Sequence, residues 1–193
     1  MARAISAAAI TAVALLAASA VSAAPIFYAG TGHYYERIDG PFSATEARAD
    51  AATKSHLGVT GHLVTITSAG EDDHVNSLGG VGSYWIGASD VASEGTWVWD
   101  AGPEAGQAFW QGGTGGTALG YENWDDASPD NFLHTSAGED YAGMNLATGE
   151  WGDTFDTAPE YDGYIVEFSL VPEPSALCLL AVGLLVLRRR TGE

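Results

Sequence analysis

From Asp100 to Asp140 the chain shows no convincing helix pattern, yet it carries Phe109, Trp110, Tyr121 and Trp124 among many Gly, Asp, Asn and Pro residues. A connection longer than about 12–15 residues inside a compact domain is normally functional or disordered. Four large aromatic rings argue against disorder, because disordered segments are poor in them. The stretch must therefore be a structured loop region held against something. A disulfide does not hold it, since the sole cysteine, Cys178, lies in the C-terminal tail. Packing, metal or both remain. Cys178 sits in an apolar segment and reads as a small hydrophobe, with lipidation as the alternative.

Both termini fall outside this domain. Met1-Ala2-Arg3 is a positive start, Ala4 to Val21 is uncharged and rich in Ala and Leu, and Val21-Ser22-Ala23 puts small residues at the cleavage positions. Residues 1–23 thus read as a secretory signal peptide. At the other end, Val171-Pro172-Glu173-Pro174 precedes an apolar run from Ser175 to Leu187 and then Arg188-Arg189-Arg190. The run is shorter than the roughly 20 residues a spanning helix takes. The arginines read as a cytoplasmic stop. Residues 171–193 resemble the PEP-CTERM sorting signal of Gram-negative bacteria, with an ordinary tail anchor as the alternative. The resemblance implies export, a transient hold in the inner membrane through this segment, and processing by an exosortase-type enzyme. Such chains belong to bacteria that make exopolysaccharide. The expected destination is the cell surface, the extracellular matrix or the medium.

Residues 25–170 are long enough for one domain with a real core. Of 25 acidic residues only Glu173 and Glu193 fall in the tail, and of 7 basic residues only Arg37, Arg48 and Lys54 fall in the domain. Its charge is that of 23 acids against 3 bases, near −20. Nucleic acid is excluded as a partner, because its binders need basic surface. Cations are favoured, and the self-repulsion opposes a compact state unless something neutralises it. A solvated acidic surface that only confers solubility is the plainer alternative.

Local patterns give two helices and then a β-rich region. Tyr34 to Ile38 reads as a strand. Ser43-Ala44-Thr45-Glu46 is a capping box opening a helix that carries Ala47, Ala51 and His56 or Leu57 on one face and ends at Gly58 and Gly61. His62 to Ile66 reads as a strand. Ser68-Ala69-Gly70-Glu71 is a second capping box, for a helix stopping at Gly79-Gly80. Tyr84–Gly87, Thr96–Trp99, Tyr141–Asn145 and Tyr164–Phe168 are aromatic and β-branched runs, hence strands.

The landmarks in order are Trp85-Ile86-Gly87, Glu94-Gly95, Trp97-Val98-Trp99, Asn123-Trp124, Pro129-Asp130-Asn131, Glu139-Asp140-Tyr141, Trp151-Gly152-Asp153 and Tyr164 to Phe168. Their order and spacing resemble a C-type lectin-like domain over nearly all of residues 33–168. The resemblance implies an α+β fold of two helices, small antiparallel sheets and a long loop region. It places Trp85, Trp97, Trp99 and Trp151 in the core. The family's four cysteine positions, near Ala51, Tyr141, Asp156 and Val166, hold other residues, so no disulfides are expected.

The same resemblance implies Ca²⁺, which takes six to eight oxygen ligands. The family's principal calcium and sugar site maps onto Ser128-Pro129-Asp130, Glu139 and Trp151-Gly152-Asp153. Asp130, Glu139 and Asp153 keep their carboxylates and are the carbohydrate-binding candidates. Ser128 and Gly152 depart, standing where Glu or Gln and Asn would each supply an oxygen. An accessory calcium site maps onto Asp90, Glu94, Asn131 and Asp140. Trp110, Tyr121 and Trp124 are candidates for a sugar-stacking face.

Enzymatic motifs are lacking: no His-Glu-x-x-His, no Gly-x-Ser-x-Gly and no phosphate loop. The five histidines show no metal-ligand spacing. The expected function is non-catalytic: calcium-dependent binding of carbohydrate or exopolysaccharide. The alternative is a structural or protein-binding matrix component with a degenerate sugar site.

Overall fold

The domain is closed on itself by pairing between early and late strands. In the structure, a computed structural model that describes residues 24–132 and 138–170, the last strand lies beside the first long one. The expected signal peptide and the Pro-Glu-Pro tail lie outside the described residues. In chain order the elements are β1 (Ile26–Tyr28), β2 (His33–Asp39), α1 (Ala44–Ala51), β3 (Ser55–His56), β4 (Val59–Thr60), β5 (His62–Leu63) and α2 (Ala69–Asn76). Then follow β6 (Ser83–Ser89), β7 (Thr96–Trp99), β8 (Ala108–Gln111), β9 (Thr117–Ala118), β10 (Tyr141–Asn145), β11 (Trp151–Thr154) and β12 (Tyr161–Phe168).

Ten strands form one branched sheet in the order β1-β2-β12-β6-β7-β8-β9, with β10 joining β6 to β11 and β5 flanking β12. β12 pairs antiparallel with β2, Phe168 opposite Tyr34. It pairs parallel with β6. Alternate side chains of these central strands enter two separate cores, as strand geometry requires. Ile86 and Ile165 join an aromatic core with Trp97, Trp99, Phe109 and Trp151. Trp85, Tyr164 and Val166 join a second core against α1. Trp85 is held there by its Nε1–H to Phe42 O, 2.8 Å away. It also stacks on Tyr161 at 3.8 Å between ring centroids. Gly87 has no room for a side chain, because a Cβ would lie 2.8 Å from Leu63 O and 3.0 Å from Val64 O.

α1 begins with the full capping box: Ser43 Oγ accepts from Glu46 N–H and Glu46 returns to Ser43 N–H. Its buried face is alanine only, Ala44, Ala47 and Ala51, so the helix approaches the sheet closely. It stops at Ala51, earlier than its sequence pattern suggests. His56 and Leu57 belong instead to the β3–β4 hairpin, and Leu57 is exposed. α2 has half a capping box. Ser68 Oγ accepts from Glu71 N–H, while the Glu71 carboxylate turns to Thr67 N–H and to the Tyr35 hydroxyl. Burial decides this, since Glu71 is 2 % exposed and Tyr35 needs an acceptor.

The Asp100–Asp140 region is held by aromatic packing. It contains β8 and β9, which the sequence pattern does not announce. Phe109 stacks on Trp99 at 4.5 Å, and Trp124 meets Trp97 edge-on at 4.9 Å. Trp110 is buried and donates Nε1–H to Gly112 O. Tyr121 and Trp124 pack on Trp151. Trp110 is thus buried in the core, and Tyr121 and Trp124 are partly buried against it.

Other contacts occupy the family's cysteine positions. Ala51 and Val166 are both fully buried in the α1 core. Tyr141 lies under the Arg48 guanidinium. Asp156 accepts from Thr45 N–H at 2.8 Å and Thr45 Oγ1–H at 3.0 Å, tying its loop to the start of α1.

Candidate functional site

β11 does not alternate strictly: Trp151 and Thr154 at its two ends are buried, and Gly152 and Asp153 between them are partly exposed. Asp153 therefore sits at the sheet surface with its carboxylate toward the loop after Pro129. It accepts the backbone N–H of Asp130 at 2.9 Å and of Asn131 at 2.8 Å. Pro129 is buried, and the Ser128–Pro129 peptide bond is cis. Asn131 has a φ of 49°, a left-handed conformation that Asn tolerates better than most residues. Its Oδ1 accepts Glu139 N–H at 3.0 Å. Backbone and side chains of Asp130, Asn131, Glu139 and Asp153 are thus knitted together.

Carboxylate oxygens of Asp130, Glu139 and Asp153 all lie within 4.8 Å of one another. Asp130 is exposed, Asp153 half-buried and Glu139 buried. The domain's Arg37, Arg48 and Lys54 are engaged elsewhere, with Asp39, Asp100 and Asp50. Among the described residues, neither lysine nor arginine is paired with the cluster. Burial and then the Asp153 charge push Glu139 up to about 7, far above an ordinary glutamate. Burial also raises Asp153.

The accessory residues are arranged differently. Asp90 follows β6 and is 2 % exposed. Its Oδ2 accepts Gly95 N–H at 2.8 Å, while its buried Oδ1 has no hydrogen-bond partner. Burial pushes it up to about 6, aided by the charges of Glu94, Asp140 and Asp153. Asp90 N–H reaches Asp140 O at 3.3 Å. Glu94 is exposed and Asp140 half-buried. A buried carboxylate oxygen left without a donor is costly, and a cation would relieve it. The carboxylates that converge among the described residues are Asp130, Glu139 and Asp153, not Asp90, Glu94 and Asp140. Their all-oxygen donors fit Ca²⁺. Asn131 Oδ1 keeps a second lone pair for a ligand after accepting Glu139 N–H.

Three residues near the site escaped sequence reasoning. Asp125 Oδ1 accepts from Ala127 and Ser128 N–H, both at 2.8 Å, shaping the turn before Pro129. Its Oδ2 lies 3.8 Å from where a Cβ on Gly152 would be, with Ser128 Oγ at 3.5 Å. An Asp two and three residues ahead of a turn is a signal that was legible. Asp72 is buried on α2 and accepts Trp151 Nε1–H and Asn123 Nδ2–H, each at 2.9 Å. It joins β11 to the loop that leads to Pro129. Phe132 is 61 % exposed beside Asp130; it is the large apolar ring the surface offers there, in place of Trp110, Tyr121 and Trp124.

The fold and this loop site define a C-type lectin domain, and the chain belongs to that family, which matches it over residues 46–161. Residues 170–190 match the PEP-CTERM protein-sorting motif. Halomucin of Haloquadratum walsbyi is 40% identical over 149 residues, 76% of this chain. That stretch is 2% of halomucin's length. Among solved structures, the carbohydrate-recognition domain of cow CD23 aligns with a TM-score of 0.57 and 24% identity, over 77% of this chain and 95% of that one. The carbohydrate-recognition domain of the human scavenger receptor C-type lectin gives 0.56 and 25%, over 76% and 96%.

Proposed function

We propose that this is an exported, non-catalytic surface or matrix protein that binds carbohydrate, such as exopolysaccharide, through Ca²⁺. The single observation that supports it most is the convergence of Asp130, Glu139 and Asp153, with no lysine or arginine paired to them among the described residues. These three would hold the principal ion, and Asp130 is open to a sugar. Asp90, Glu94, Asn131 and Asp140 would surround a second ion, with Asp90 Oδ1 as its buried ligand. The ion supplies a charge that sugar hydroxyls can join; the chain supplies its position and the exposed Phe132 ring alongside. The family membership and the sorting motif support the same reading, with an exosortase-type enzyme as processing partner and a transient membrane hold through the tail.

The test is titration calorimetry of the chain with host exopolysaccharide, in Ca²⁺ and in EDTA. Binding in Ca²⁺ that EDTA abolishes is expected. Absence of binding in both would remove the proposal.

Gly152 favours a second reading, a matrix component that uses the fold without direct sugar coordination. Gly152 has no side-chain oxygen to give. If Asp130→Ala leaves matrix attachment unchanged while the circular dichroism is native, this second reading holds.

A further inference from the structure

One surface is apolar with no role in the calcium loops. Across the sheet, Phe168 on β12 faces Tyr34 on β2, and Tyr34 faces Phe27 on β1. The Phe27 and Tyr34 rings are 5.1 Å apart. His56 on the β3–β4 hairpin lies 4.5 Å from Tyr34 and 5.6 Å from Phe168. Phe168 is buried at the base, Phe27 is 50 % exposed, and Leu57 at the hairpin tip is 67 % exposed. The hairpin turn itself is unusual. Leu57 and Gly58 both have positive φ, 50° and 81°. Such two-residue turns favour Asn-Gly or Asp-Gly. A leucine there is strained, contributes little to the core, and projects into solvent.

The position of this patch relates it to the tail. The chain leaves the domain at Ser169 and Leu170, directly after Phe168. The apolar run begins at Ser175, five residues beyond Leu170. Five residues reach at most about 18 Å. With that run in a bilayer, the Phe168 end of the sheet lies within about 18 Å of the lipid surface. We infer that Phe27, Tyr34 and Leu57 form a lipid-facing foot, which seats this end of the domain on the headgroup boundary while the tail is uncleaved. Aromatic residues and leucine suit that boundary. The domain's charge near −20 leaves apolar contact, not attraction to anionic lipid, as the source of binding. The foot depends on the proposed membrane hold.

The experiment uses the full chain in phosphatidylcholine vesicles. A Cys178→Ser background carries Leu57→Cys, or Val91→Cys beside the calcium loop as the control, each labelled with an environment-sensitive dye. Both positions are exposed, Val91 at 58 %, so neither change disturbs the core. Brominated acyl chains should quench the dye at position 57 several-fold more than at position 91. A further Phe27→Ser change should remove most of that difference. Vesicles that fail to retain the chain on flotation would overturn the membrane hold and this inference together. Retention with equal quenching at both positions would overturn the inference alone. So would a blue shift at position 57 that depends on protein density and not on brominated lipid, which would mean a second copy covers the patch.

Discussion

His33 Nδ1 lies 2.5 Å from Glu167 Oε1, joining the start of β2 to the end of β12. Glu167 is 1 % exposed and also accepts from Thr65 N–H at 3.0 Å and from Ser169 Oγ–H at 3.0 Å. Burial alone would raise Glu167, but the His33 bond, His62 and Thr65 outweigh it and its pKa falls. The same bond raises His33. The His33 contribution is complete below about 6.5 and lost as pH rises through the raised value. The Glu167 contribution is present above its ordinary value and lost in acid. The pair is therefore strongest in mildly acidic solution. His33→Ala should lower stability by about 2 kcal/mol at pH 6, the range for a hydrogen bond to a charged group. The loss should shrink by pH 8; urea unfolding at the two pH values checks both.

Glu139→Gln should have opposite effects with and without metal. Without Ca²⁺ it removes a carboxylate that burial and Asp153 disfavour, so the melting temperature should rise. With Ca²⁺ it removes a ligand. A ligand at a hundred times its Kd adds about 2.7 kcal/mol to the natural chain, and most of that should vanish in the variant. Ionic strength must be matched, since salt also screens the repulsion. Melting curves in EDTA, Mg²⁺ and Ca²⁺ measure it, with Mg²⁺ doing less. A natural chain indifferent to millimolar Ca²⁺ would remove the metal site.

Acid should act on the metal through the same group. Glu139 is pushed up to about 7 and Asp90 to about 6. Both bind protons more tightly folded than unfolded. The calcium-free domain should therefore gain stability from these two as pH falls from about 7 toward 5. Ca²⁺ needs the deprotonated forms, so its affinity should fall over the same interval. Calorimetric Ca²⁺ titrations at pH 5.5, 6.5 and 7.5 follow the trend.

Gly152→Asn should strengthen the site. A Cβ there would meet Ser128 Oγ at 3.5 Å and Asp125 Oδ2 at 3.8 Å, ordinary contacts. A Cβ is accommodated, and Asn brings a side-chain oxygen to the position next to Asp153. Roughly tenfold tighter Ca²⁺ binding is expected, about 1.4 kcal/mol. An unchanged Kd would show that Gly152 is not what limits coordination.

Asp72→Ala should damage the site from a distance. It leaves Trp151 Nε1–H without its acceptor and the Asn123 amide with only Gly149 O. Burying the Trp151 donor unpaired costs about 1–3 kcal/mol. Because Trp151 starts the strand bearing Asp153, Ca²⁺ affinity should fall with stability. Asp72→Asn, which keeps an acceptor oxygen, should restore part of both.

Much was legible in the sequence by itself. The α1 capping box, the aromatic strands and the order of landmarks around Pro129 need only neighbouring residues or fixed spacing, so local chemistry writes them directly. The lectin-like fold and the triad of Asp130, Glu139 and Asp153 follow from that order. Other features depended on partners far along the chain. Whether Glu71 closes its capping box was decided by buried Tyr35. Whether Trp110, Tyr121 and Trp124 face sugar or core was decided by Trp97, Trp99, Phe109 and Trp151, which fill one apolar interior together. The loss of a donor at Asp90 Oδ1, and the placing of His56 against Tyr34 and Phe168, arise only when distant segments are packed. Burial and hydrogen-bond satisfaction are properties of that packing, and a sequence pattern carries no measure of either.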